Sequence, residues 1–289
     1  MLVALTLLDL AYQVINGASP SIDRFGLGFL VHTAWVPNFN VFGAAAWIFG
    51  TVVSSLIALA IATPLGIAIG LYLAVIARPA VRAVVGPLVE MLAAIPSVIL
   101  GFWGIIVFAP FLQRHIEPAL HSVLGFIPLF GAPPTTGLSI FTAGLVLTLM
   151  ILPIISALSR DLFLTVPGEL KDAAAALGST RWEIIRGVLL PTTASGVAAA
   201  TVLGLGRALG EAIAVAQVIG DGNGIHASLF SLGATLASRI ALDFQTASSK
   251  MFVASLFYLA VVLIGISLIT SLAARAIAGR FDVQRALAR

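Results

Sequence analysis

Long apolar stretches dominate this chain, and most charged residues are confined to the gaps between them. Five windows contain no Asp, Glu, Lys or Arg: Trp47–Ala77, Met91–Gln113, Thr142–Ser159, Pro191–Gly206 and Met251–Ala274. Crossing a bilayer as a helix takes about 20 mostly apolar residues. The fourth window continues through Arg207 and Glu211 to Gly220, so we predict a full membrane span there that carries a charged pair.

The start of the chain implies a sixth span over about residues 1–16, which is short and contains Asp9. We predict that the true start lies upstream; the alternative is that the first helix is only partly represented. The whole pattern predicts an all-α integral membrane protein, a six-helix transmembrane bundle that forms one domain over residues 1–289. Four prolines fall inside the predicted spans: Pro64, Pro96, Pro110 and Pro153. Neighbouring helices satisfy the backbone groups that such prolines free, so we expect bent helices around a path.

Composition supports the membrane assignment and excludes several other classes of protein. Only 9% of the residues are charged and 60% are hydrophobic, whereas soluble domains carry about 25% charged residues. The chain has no cysteine, which excludes disulfides and thiolate metal sites. The four histidines lack metal-binding spacing, so we predict no metal site. Basic residues form no cluster with aromatics, which makes nucleic acid a poor candidate partner.

Basic residues between the predicted spans give an orientation. With the loop after Trp47–Ala77 placed in the cytoplasm, that side carries ten Lys and Arg residues and the opposite side carries four. Cytoplasmic loops of membrane proteins carry the excess of Lys and Arg. We therefore expect the loop before the fourth span and the C-terminus, with Arg280, Arg285 and Arg289, to be cytoplasmic.

The loop before the fourth span, residues 166–191, is a charged segment between apolar runs. Pro167 suits the first turn of a helix, and the helix dipole favours acidic residues near the helix start. Gly178 is placed to end this helix in a left-handed conformation. Thr180-Arg-Trp-Glu183 has the pattern of a capping box, which predicts a second helix running toward Pro191.

This segment resembles a signature of the inner-membrane permeases of ABC importers. The signature is Glu-Ala-Ala, three residues, Gly, nine residues, then Ile-x-Leu-Pro. The matching positions here are Asp172, Ala173, Ala174, Gly178, Val188, Leu190 and Pro191. Asp replaces Glu and Val replaces Ile. The resemblance implies a type I ABC importer permease with a cytoplasmic coupling helix that docks into the ATPase subunit; the alternative is an amphipathic helix on the inner leaflet.

No nucleotide-binding motif accompanies that signature. A phosphate-binding P-loop needs Gly-x-x-x-x-Gly-Lys-Ser/Thr, and the two lysines, Lys171 and Lys250, follow Leu170 and Ser249. We therefore expect a partner chain to bind and hydrolyse ATP. This chain is then a transport subunit with no catalytic residues and no cofactor of its own.

Arg207 and Glu211 are spaced by four residues, which places them on one helix face one turn apart. A charge within a span costs roughly 2.5–3.5 kcal/mol, so it normally faces the protein interior or water. Gly206 and Gly210 beside it permit close approach of another helix. A guanidinium suits a tetrahedral oxyanion, and Glu211 would neutralise Arg207 while no anion is bound. We predict that the pair lies on the substrate path; the alternative is a structural ion pair.

Three stretches resemble the phosphate-import permeases of this family: Gly206–Val215, Val89–Gly104, and Phe25–Leu30 with Trp35. That resemblance implies a multi-pass protein of the bacterial inner membrane and three partners: a PstA-like permease as heterodimer, a dimeric PstB-like ATPase and an extracytoplasmic phosphate-binding protein. A permease for another oxyanion, such as sulfate or molybdate, stays open. Rivals from other classes are a passive anion channel and an intramembrane enzyme.

Overall fold

The computed structural model describes residues 2–278, which fold entirely as helices and connecting loops, with no strand in that range. The α-helices of this range are α1 (Leu2–Phe25), α2 (Gly28–Val31), α3 (Ala45–Leu71), α4 (Pro79–Ala93), α5 (Ser97–Trp103), α6 (Ala109–Phe111), α7 (Glu117–Leu124), α8 (Ile140–Thr165), α9 (Gly168–Ala176), α10 (Arg181–Ile184), α11 (Leu190–Gly210), α12 (Ile213–Val218), α13 (Leu236–Asp243) and α14 (Lys250–Ala278). Arg280, Arg285 and Arg289, for which we predict a cytoplasmic location, lie outside the described residues.

Five helical stretches among residues 2–278 are long and apolar enough to cross a membrane. They are Ala45–Ile76, Ser97–Leu124, Ile140–Thr165, Arg181–Gly210 and Lys250–Ala276. Each contains most of one charge-free window, which confirms the five predictions from the sequence. The first helix, α1, is not among them: it runs beyond the predicted 1–16 to Phe25, and its second half carries Asp23 and Arg24.

Two of the predicted spans have different bounds in the structure. The second does not begin at Met91, because the chain leaves the helix before Pro96 and α5 starts afresh at Ser97. Pro96 biases the residue before it away from helical geometry. The prediction that the fourth span continues to Gly220 is wrong as well, since α11 ends at Gly210 and the short α12 follows.

Widened π turns carry the second and fourth spans past their prolines. Three such turns each end two residues before a proline: Gly104–Phe108 before Pro110, Leu112–Ile116 before Pro118, and Ile185–Leu189 before Pro191. Proline has no N–H, and its ring clashes with the carbonyl of the preceding turn. A single π turn lets the helix absorb that clash and continue, so both spans stay helical to Leu124 and Gly210.

The chain forms two compact units, and the first comprises Met1–Ile57, Pro96–Leu147 and Leu209–Ser267. Its core is aromatic: the rings of Trp35 and Trp47 lie 4.3 Å apart in an edge-to-face arrangement. The Trp35 indole donates a hydrogen bond of 3.0 Å to Asp243, and Arg239 pairs with the same carboxylate at 2.8 Å. Arg239 also lies over Trp47, 5.3 Å from its ring centre. Burying Arg239 and Asp243 beside these rings is tolerated because the two charges are paired.

The second unit comprises Ala58–Ile95, Thr148–Ala208 and Leu268–Arg289. A small core of Phe163, Leu189, Ala74 and Val197 holds it together. Gly66 and Gly70 of α3 pack closely against α8: a Cβ at Gly70 would lie 2.8 Å from the Ser156 carbonyl oxygen. Small residues allow such close backbone approach between membrane helices.

Candidate functional site

The 166–191 segment folds as sequence analysis predicts, and local hydrogen bonds explain why. Helix α9 ends in a left-handed Gly178 with φ of +86°. The Ser179 amide donates to the Ala174 carbonyl at 3.1 Å, and the Gly178 amide donates to the Ala175 carbonyl at 2.9 Å. These two bonds define a Schellman motif, which satisfies carbonyls at the end of a helix. Pro167 lies at the N-cap, one residue before the predicted position.

A capping box starts the second helix of the segment, also as predicted. The Thr180 amide donates to the Glu183 carboxylate at 2.7 Å, and the Glu183 amide donates back to the Thr180 hydroxyl at 3.4 Å. The two reciprocal bonds satisfy amides that a helix start leaves free. Together with Gly178, they fix the turn between α9 and α10.

The signature residues divide into an exposed part and a packed part. Asp172, Ala173 and Gly178 are exposed on α9 and its turn. In contrast, Val188 and Leu190 pack against the core around Phe163, so within this chain they anchor the segment. Pro191 is exposed and follows the widened turn. The signature therefore combines a displayed surface with the contacts that hold it.

Two further exposed side chains belong to this surface, and sequence analysis did not single them out. Leu177 is 89% exposed and Trp182 is 63% exposed. Large apolar side chains displayed together commonly mark an interaction surface. The available signal was a large apolar residue close to the Gly178 turn on each side; Leu170, earlier on α9, is exposed as well.

Arg207 lines a cavity of about 680 Å³ within the second unit. The cavity is lined by one residue of α8, five of α11 and two of α14: Ile154, Ala199, Val202, Leu203, Gly206, Arg207, Ser271 and Arg275. Its wall is otherwise apolar, so the two guanidinium groups and the serine hydroxyl supply its polar side chains. A mainly apolar cavity with a few convergent polar groups is typical of a small-molecule site.

Glu211 does not share a helix with Arg207. Helix α11 ends at Gly210, and the Glu211 carboxylate accepts a hydrogen bond of 3.3 Å from the Ala214 amide in the first turn of α12. Glu211 belongs to the first unit and Arg207 to the second. The predicted i, i+4 geometry is therefore wrong, while the proposed roles of both residues stay predictions.

The predicted small-residue edge at Gly206 is open in this chain. A Cβ added at Gly206 would meet no atom of a neighbouring element within 4 Å among the described residues. The same holds at Gly210. The predicted close approach of another helix is therefore not made there by residues 2–278.

Comparison with known proteins places the chain in a family. Residues 66–282 match the family described as binding-protein-dependent transport system inner membrane component. The phosphate transport system permease protein PstC of Mesorhizobium japonicum is 39% identical over 288 residues, covering 98% of this chain and 88% of that protein. PstC of Pasteurella multocida is 45% identical over 241 residues, covering 82% and 75%.

This chain belongs to the PstC family of permeases. A crystal structure of a bacterial alginate ABC transporter, in complex with a periplasmic protein that holds an alginate pentasaccharide, contains a chain of the same fold. The TM-score is 0.62 at 16% identity, covering 97% of this chain and 94% of that chain. The all-α permease fold predicted from the sequence is confirmed.

The family match also contains both candidate regions of this PstC-family permease. The 166–191 segment and the Arg207 cavity lie inside residues 66–282, whereas α1 and α2 precede them. The permease is an inner-membrane component of a transport system that depends on a separate binding protein.

Proposed function

We propose that this permease carries inorganic phosphate across the inner membrane as one subunit of an ABC importer. The observation that carries the proposal is the similarity, over 75–88% of their length, to proteins named phosphate transport system permease PstC. The partners are a homologous PstA-like permease, a dimeric PstB-like ATPase and an extracytoplasmic phosphate-binding protein. ATP is bound and hydrolysed by the ATPase, and this chain performs no covalent chemistry.

The 166–191 segment acts as the contact with the ATPase on the cytoplasmic side. Its exposed surface of Asp172, Ala173, Leu177 and Trp182 supports this role, because an exposed aromatic with apolar and acidic neighbours suits a protein groove better than open water. Its hydrogen-bonded turn supports this role too: a docking element that is already ordered transmits a displacement of the ATPase without the entropic cost of folding first.

Arg207 contacts the anion on its path through the membrane. A guanidinium offers planar, paired donors that match phosphate oxygens, and it keeps its charge at all physiological pH values. Arg207 is exposed in this chain, and the apolar cavity wall beside it supports this role, since surroundings of low dielectric constant strengthen the attraction between a guanidinium and an anion. Rigid-body rocking of the permease pair then exposes the site to each side in turn.

The proposal is tested by radiolabelled phosphate uptake into vesicles that contain the permease, its PstA-like partner, the ATPase and the binding protein. We expect uptake that requires ATP and persists in excess sulfate or molybdate. ATP-dependent assembly that moves another oxyanion and no phosphate would keep the importer and reassign its cargo. Phosphate movement without ATP would favour the passive anion channel.

A further inference from the structure

We propose that Arg275 and Ser271 of α14 join Arg207 in a binding site for a phosphoryl oxyanion. This inference deepens the proposed function and rests on it for the identity of the transported anion. Neither α14 residue stands out in the sequence, because Arg275 lies at the end of a span, where basic residues are ordinary. What distinguishes them is the cavity: both line the same 680 Å³ space as Arg207.

Helix periodicity explains how the three polar groups come together. On α11, Ala199, Leu203 and Arg207 follow one another at intervals of four, so they share one face. On α14, Ser271 and Arg275 are also four apart and share a face. Since both faces line the same cavity, the hydroxyl and the two guanidinium groups are presented to one open cavity, in which both arginines are exposed.

The charges of this cavity are unbalanced. Its lining includes two arginines and no carboxylate. The ion pairs formed among residues 2–278 involve Arg160 and Arg239, and neither Arg207 nor Arg275 takes part in them. Unpaired positive charges beside an apolar wall attract an anion more strongly than they would in open water. A phosphoryl group, with several oxygen acceptors and negative charge, is the ligand class that guanidinium and hydroxyl donors on one cavity wall suit best.

Gly206 keeps the approach to this site open. A Cβ there would point into free space, so glycine at this position is not required for packing within residues 2–278. It instead leaves the backbone beside Arg207 uncovered at the cavity wall. The phosphoryl oxyanion comes from one of two sources: free inorganic phosphate, or the headgroup of a phospholipid.

The experiment compares wild type with Arg275→Gln, Arg275→Lys, Ser271→Ala and the matched control Arg78→Gln. Arg78 is an exposed arginine outside the cavity, so its variant removes the same charge. One arm measures phosphate uptake by the full complex in phosphatidylcholine vesicles, with KM and kcat separated. The other arm quantifies by mass spectrometry the phosphatidylglycerol that the complex retains after transfer from mixed-lipid nanodiscs.

We expect Arg275→Gln to raise KM for phosphate about tenfold or more, because a hydrogen bond to a charged group contributes about 1.5–3 kcal/mol. The Lys variant should recover part of that loss, and Arg78→Gln should match wild type. An unchanged KM with loss of bound phosphatidylglycerol would assign the site to the lipid headgroup. If Arg275→Gln does not assemble, Ser271→Ala carries the test, with an expected rise in KM of about tenfold, because the hydroxyl would also donate to a charged group.

The inference is overturned if neither KM nor retained phosphatidylglycerol differs from the Arg78→Gln control in any of the cavity variants. Failure of the proposed function gives a different result: the wild-type complex itself would take up no phosphate in the presence of ATP. In that case the retained phosphatidylglycerol alone decides the site, since that arm does not depend on transport.

Discussion

The 166–191 segment and the Arg207 cavity belong to the same unit, yet they are stabilised in opposite ways. The turn of the segment is fixed by hydrogen bonds that reach at most five residues along the chain, such as that from Ser179 to Ala174. The cavity joins α8, α11 and α14 and brings Ile154 and Arg275 together from distant parts of the sequence. One region is set by local chemistry, and the other exists only once the helices have packed.

This difference separates the two functions experimentally. A change in the segment alters an exposed surface, so it should weaken contact with the ATPase and leave the fold and the anion affinity unaltered. A change in the cavity should affect transport of the anion and leave ATPase contact intact. A variant of either region that produced the other region's defect would show that the two regions do not act independently.

The largest effect is expected for Arg207→Gln, which removes the charge and keeps the approximate size. Uptake should fall about 100-fold, the upper range for losing a hydrogen bond between charged groups. The complex should still assemble with its ATPase, as checked by co-purification. Arg207→Lys should be intermediate, since lysine keeps the charge without the paired donors. Normal uptake by Arg207→Gln would remove Arg207 from the substrate path.

Trp182→Ala should weaken binding of the ATPase about 30-fold, because interface tryptophans often contribute 2 kcal/mol or more. Affinity is measured with the solubilised permease pair and isolated ATPase. The matched variant is Trp47→Ala, which empties a site that is 1% exposed and should lower the free energy of unfolding by about 3–5 kcal/mol instead. Unchanged ATPase affinity in Trp182→Ala would assign that ring to the membrane interface.

Gly178→Ala should lower ATPase affinity about tenfold, because the left-handed conformation costs about 1–2 kcal/mol for a residue with a Cβ. The added methyl group itself meets nothing within 4 Å among the described residues, so the cost is conformational. Gly168→Ala is the matched control: it also has free space around its Cβ and has no positive φ. Equal affinities for the two variants would contradict the role of the Gly178 turn.

Thr180→Ala should have the smallest effect, about fivefold on ATPase affinity, as expected from the roughly 1 kcal/mol that an N-cap contributes. The capping hydroxyl is restored in Thr180→Ser, which should bind as wild type does. Circular dichroism and thermal unfolding should be unchanged in both, because Thr180 itself is exposed. A measurable loss of global stability in Thr180→Ala would show that the turn also supports the core.

Local patterns made the segment and the spans predictable, and the same locality explains the errors. Gly178 and Thr180 act through hydrogen bonds within a few residues, so their positions in the sequence were sufficient. The break after α11 at Gly210 is accompanied by an equally local bond, from the Ala214 amide to the Glu211 carboxylate, but the span was predicted from its apolar content. Apolar content alone cannot distinguish one continuous span from two consecutive helices, which is why the fourth span was predicted to reach Gly220.

By itself, the sequence determined the membrane class, the five apolar spans and the folded turn of the 166–191 segment. Tertiary structure alone decided that Leu190 is an anchor, that Leu177 and Trp182 are displayed, and that Arg275 shares a cavity with Arg207. The physical reason is the distance along the chain over which each interaction acts. Helix caps and bilayer-length apolar runs act along the chain, whereas burial and shared cavities depend on which helix faces meet.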